Sequence, residues 1–73
     1  MEFSLKSEFI ELDNLLKAMR LVGSGAVARQ RIEEGLVKVN GQVEMRIRRK
    51  LRVGDSVEFR EHRISIVTDT TCL

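Results

Sequence analysis

The spacing of apolar residues changes period twice along the chain. Near the start, Phe3 and Leu5 alternate with polar residues, which predicts an edge strand within residues 3–10. Over residues 12–21 the apolar positions are Leu12, Leu15, Leu16 and Met19, the i, i+3, i+4, i+7 spacing of one helical face, with Asp13 and Asn14 near its start. Val22 and Gly23 break that pattern. Ser24 then stands where a helix N-cap belongs, ahead of a second helix through Ala26, Ala28 and Ile32. Gly35 supplies the left-handed residue that closes a helix, and Leu36 is expected to pack back on the last turn. Small alanines on the inner side let the two helices cross closely as a hairpin.

After Gly35 the period becomes two. Val37 and Val39 flank Lys38, Asn40-Gly41 is a two-residue hairpin turn, and Val43 opens the return strand. From Val43 to Val53, five of the six odd positions are apolar and all five even positions are charged. An extended segment would therefore face Val43, Met45, Ile47, Leu51 and Val53 inward and Glu44, Arg46, Arg48, Lys50 and Arg52 to water. Arg46 to Arg52 would then form a stripe about 20 Å long. Arg49 breaks the alternation, which predicts a bend and a basic loop near Arg48-Arg49-Lys50. Gly54-Asp55 is a further turn, and Val57 and Phe59 are expected to pair with Ile64 and Ile66 across a connection of Arg60, Glu61, His62 and Arg63. The reading is an α+β fold: a two-helix hairpin on a small, mostly antiparallel sheet of three to five short strands, with residues 68–73 as a frayed tail.

Composition narrows what such a fold does. The 73 residues allow one domain with a small core, and 42% hydrophobic with 33% charged residues and no proline is the balance of a folded chain. No apolar run approaches the ~18 residues of a membrane span, and the opening stretch carries acids where a secretory signal needs a hydrophobic run, so a cytoplasmic location is expected. A single cysteine, Cys72, and a single histidine, His62, are too few for an internal disulfide or a tetrahedral zinc site. Gly23-Ser24-Gly25 is too short for a phosphate-cradling loop and lacks the lysine that follows one. With no nucleophile and base in reach of each other, neither an enzyme nor a cofactor is expected.

Charge is informative through its distribution. The net formal charge is +2. Residues 17–52 hold ten bases against three acids, a local charge of +7, and the two ends together carry −5. Such asymmetry concentrates positive potential and favours a polyanionic partner. Seven of the ten central bases are arginine, whose planar fork suits phosphate better than a lysine does.

Taken in order, Leu12-Asp13 with Leu16, then Ser24, Ala28-Arg29, Ile32, Gly35, Val37, Val39-Asn40-Gly41, and Val53-Gly54-Asp55 with Val57 resemble the RNA-binding domain first recognised in ribosomal small-subunit protein four, also called the alpha-L motif. The likeness covers residues 12–57, about two thirds of the chain. It implies one domain over residues 1–73, similar to the short stand-alone bacterial members, whose basic segment resembles residues 44–50 here. It also implies an L-shaped surface for structured RNA, commonly ribosomal RNA, on a monomer with no small-molecule substrate. Catalytic family members carry their activity on a separate domain, so none is implied here. One departure is Gly25, where the family often has arginine after the serine, so one implied phosphate contact is missing; backbone N–H groups at the helix N-terminus are expected to donate to phosphate in its place.

The expected contacts are Ser24, Gly25 and Arg29 on backbone at the head of the second helix, and Lys38, Arg46, Arg48, Arg49 and Lys50 on a neighbouring strand. Arg31 turns about 200° from Arg29 on the helical wheel and is expected to be solvated. Tryptophan and tyrosine are absent and Phe3, Phe9 and Phe59 lie in apolar patterns, which disfavours stacking on unpaired bases. Two other readings stay open: a helix-turn-helix over residues 12–34 that puts Arg29 and Gln30 in a DNA major groove, and an adaptor whose sheet edge or basic loop binds an acidic protein surface.

Overall fold

The computed structural model describes residues 1–69. Its elements are β1 (Glu2–Leu5), β2 (Ile10–Glu11), α1 (Leu12–Ala18), α2 (Gly25–Glu33), β3 (Val37–Val39), β4 (Gln42–Val43), β5 (Lys50–Leu51), β6 (Ser56–Phe59) and β7 (His62–Thr68). Five strands form one sheet in the order β1-β7-β6-β3-β4, and β2 and β5 form a separate antiparallel ladder. The predicted N-terminal edge strand is present as β1. It runs parallel to β7, the one parallel pair in a mixed sheet that is otherwise antiparallel. No helix among the described residues is long and apolar enough to cross a membrane.

Both helices cover one face of this sheet. Leu12, Leu15 and Leu16 of α1 and Ala28 and Ile32 of α2 are buried with Val37, Val39, Val57, Phe59, Ile64 and Ile66 from the sheet. Each of these side chains apart from Ala28 contributes about 1.5–3 kcal/mol by leaving water. Ser24 caps α2 as its side-chain oxygen accepts from the Val27 N–H at 3.3 Å. At the other end Gly35 adopts φ 76°, and the N–H groups of Gly35 and Leu36 donate to the carbonyls of Ile32 and Arg31 at 3.0 and 3.2 Å. The Asn40-Gly41 turn uses φ values of 52° and 85°, both left-handed, and so matches the twist of the hairpin it closes.

Several expectations are corrected. Residues 43–53 are not one strand. β4 stops at Val43 and β5 has two residues, because Glu44 already pairs its N–H with Val37, the first residue of β3. Beyond that point the neighbouring chain is the end of α2 and there is no ladder left to join. The inward set is accordingly wrong: Val43, Met45 and Val53 are 52%, 54% and 51% exposed, and Glu44 is only 8% exposed. His62 and Arg63 belong to β7, and the turn is Arg60-Glu61 alone, with Val57 opposite Ile64 and Phe59 opposite His62. Ala26 and Leu36 are exposed, not packed inward. Thr68 ends β7 opposite Leu5, and the Asp69 N–H donates to the Leu5 carbonyl, so the tail is ordered through residue 69; residues 70–73, Cys72 among them, lie outside the described residues.

Candidate nucleic-acid interface

Residues 44–49 join β4 to β5, and backbone bonds set their shape. The Arg49 N–H donates to the Arg46 carbonyl at 3.3 Å and closes a turn over Ile47 and Arg48. The N–H groups of Leu12 and Asp13 then donate to the carbonyls of Arg49 and Ile47, at 2.9 and 3.1 Å. Because Glu11 provides no side-chain cap for α1, these loop carbonyls satisfy donors in the first turn that have no partner within the helix. Ile47 packs against the core, and Lys50 and Leu51 pair with Glu11 and Ile10. Ile47 and the loop backbone thus face inward and Arg46, Arg48 and Lys50 face out, whereas Met45 is exposed and Glu44 is buried.

Arg46, Arg48, Arg49 and Lys50 line one open concavity of about 450 Å³. Its order comes from the residue that the alternation placed in water. One Glu44 oxygen accepts from the Arg46 N–H and Nε, both at 3.2 Å, and the other accepts from Arg46 Nη2 at 3.0 Å and Arg49 Nη1 at 2.6 Å. The Arg46 side chain is otherwise 73% exposed, so a buried carboxylate holds a guanidinium that reaches into solvent. The hydrogen bonds from Arg46 bring the Glu44 pKa from its ordinary 4.5 down to about 2; burial opposes the shift and Arg49 reinforces it. The acid is therefore charged throughout the neutral range. Arg48 makes no ion pair with a described residue, and Lys50 places its ammonium 4.9 Å from the centre of the Phe9 ring. That contact steadies the lysine and covers the ring.

The other expected contacts are spread more widely. Ser24 and Gly25 lie at the start of α2 and Arg29 in its second turn; α2 follows the C-terminal end of α1, whereas the basic loop meets the N-terminal end. α1 has seven residues, so about 10 Å of helix stands between the two groups. Arg29 is exposed. Arg31 is not simply solvated, since its Nη1 bonds Glu34 Oε1 at 2.9 Å. Lys38 is in register with Val43 and Glu58, on the sheet face away from the helices, and is not among the residues that line the concavity. Glu44 and Phe9 are the residues that sequence reasoning missed. The available signal for Glu44 was a single acid within a run of bases.

A second polar cluster joins the Asn40 turn to the turn over residues 52–56. Asn40 Nδ2 donates to Asp55 Oδ1 at 3.1 Å, Asn40 Oδ1 accepts from the Ser56 N–H at 2.9 Å, and Asp55 Oδ2 accepts from the Arg52 N–H at 2.9 Å. Burial alone would raise the Asp55 pKa. The Arg52 N–H, the Asn40 amide and the charges of Arg49 and Arg52 outweigh it and hold the carboxyl below its usual range.

The S4 domain family matches residues 3–67. YbcJ of Escherichia coli (strain K12) is 46% identical over 66 residues, which are 89% of this chain and 94% of that protein. YbcJ of Shigella flexneri matches to the same extent. The solution structure of YbcJ from Escherichia coli, described as revealing an ALFAL motif involved in RNA binding, superposes with a TM-score of 0.71 at 44% identity, covering 92% of this chain and 86% of that one.

Proposed function

Since this chain belongs to the S4 domain family, we propose that it binds structured RNA without catalysis, through the concavity of Arg46, Arg48, Arg49 and Lys50 and the head of α2. The observation that carries this reading is the convergence of these four bases on one concavity of a loop that is hydrogen-bonded to α1. A preset set of guanidinium and ammonium groups suits phosphates whose positions are fixed by RNA folding. Ser24, Gly25 and Arg29 reach the backbone about one short helix away, and Lys38 contributes at most from the adjoining sheet face. The related Escherichia coli structure, with its RNA-binding motif, supports the class of partner.

Ribosomal RNA is the target to test first, on a monomeric protein acting in the cytoplasm. The experiment is cross-linking in cells followed by sequencing of the attached RNA, paired with competition between folded ribosomal RNA and B-form DNA for the purified chain. Enrichment of structured RNA and preference for it in competition are expected. Equal displacement by duplex DNA would support instead a groove-reading role for Arg29 and Gln30, and a pull-down that survives nuclease treatment would support a protein partner.

A further inference from the structure

We propose that Glu44 is a positioning residue that makes the basic concavity selective for a folded RNA over a generic polyanion, an inference that rests on the RNA-binding reading above. An acid set among Arg46, Arg48, Arg49 and Lys50 weakens the attraction of any polyanion, so electrostatic attraction alone gives no reason for it. Geometry does. Glu44 is buried, and its two oxygens together engage Nε and Nη2 of Arg46 and Nη1 of Arg49.

An exposed arginine samples many rotamers, and ordering it on binding costs affinity. Here that ordering precedes binding for Arg46 and Arg49, while Arg48 and Lys50 have no acidic partner among the described residues. The four bases thus divide into two kinds. Arg48 and Lys50 supply attraction that every phosphate backbone feels. Arg46 and Arg49 present their remaining N–H donors along fixed directions, which only a backbone with phosphates at matching positions can meet.

The test uses the full chain, its Glu44→Gln and Arg46→Lys variants, folded ribosomal RNA fragments, and random-sequence duplex DNA at one salt concentration. Glu44→Gln is expected to bind duplex DNA about two- to threefold more tightly, since one opposing charge is gone. Its preference for folded RNA should fall about tenfold, the scale of one lost charge-assisted hydrogen bond. Arg46→Lys keeps the charge and loses the fork, and should lose preference without gaining affinity for DNA.

If Glu44→Gln strengthens binding to both nucleic acids equally, Glu44 is only a charge and the proposal fails. It also fails if both weaken equally, since the acid then supports only the loop. Circular dichroism checks folding; should Glu44→Gln not fold, Arg46→Lys decides, and full preference in that variant overturns the proposal. A wild type without preference for folded RNA overturns this inference and the RNA-binding reading together, whereas preference that survives in both variants overturns this inference alone.

Discussion

The backbone N–H of Leu12 donates to the carbonyl oxygen of Arg49 at 2.9 Å, so the first turn of α1 is closed by the loop that carries the basic side chains. Leu12 itself is fully buried. Leu12 thus ties the candidate interface to the core, together with the Asp13 N–H on the Ile47 carbonyl, and the loop holds its shape for as long as α1 is packed. On the proposed reading, RNA binding is therefore linked to the stability of α1.

Salt reads the number of phosphates. If Arg29, Arg48, Lys50 and the net charge of the Glu44–Arg46–Arg49 cluster each neutralise one, log affinity for folded RNA falls against log salt with a slope of about −3 to −4. Fluorescence anisotropy over a potassium chloride series gives the slope. A flat response would exclude phosphate recognition.

Arg48→Ala combined with Lys50→Ala removes the two bases of the concavity that no acid among the described residues engages. The slope should become shallower by about two. Stability should fall by no more than about 1 kcal/mol, which covers the lost contact of Lys50 with Phe9 and two exposed substitutions. Arg46→Glu should behave differently, because it sets a second carboxylate against buried Glu44 and unfolds the chain more readily. Thermal melts of the two variants distinguish these outcomes.

Acid weakens the fold through Glu44. Its pKa is about 2 when folded and 4.5 ordinarily, so the unfolded chain takes up a proton first. The stabilisation is complete above the unfolded value and is lost as pH falls from about 5 toward about 2. Asp55, whose pKa is also lowered, acts in the same direction. Melting temperature against pH should show this acid limb, and Glu44→Gln should flatten it in part, leaving the contribution of Asp55.

Asn40→Ala tests the link between the two turns. Asn40 has φ 52° and bridges Asp55 and the Ser56 N–H. Alanine tolerates that backbone poorly and makes neither bond, for a cost of about 2–3 kcal/mol. Chemical denaturation measures it. Affinity for RNA under conditions where the variant remains folded should change little, since Asn40 does not line the concavity.

The sequence alone determined the features that depend on near neighbours. Leu12, Leu15 and Leu16 marked one helix face, Ser24 and Gly35 the two ends of α2, Asn40-Gly41 a hairpin, and Arg48-Arg49 a basic bend, because periodicity, capping and turn conformation act over a few residues. Lys50, expected in the same loop, pairs in β5 instead. Tertiary structure decided where pairing stops and which charges meet. Alternation carried an expected strand through Met45 and Ile47. A strand needs a partner, though, and β3 begins at Val37, so past Glu44 the loop carbonyls turn to the N–H groups of α1 instead. The same turn buries Glu44 under Arg46 and Arg49, a contact that no spacing along the chain encodes: a carboxylate among bases is stable in the core's margin only once the fold has brought both guanidinium groups within hydrogen-bond reach.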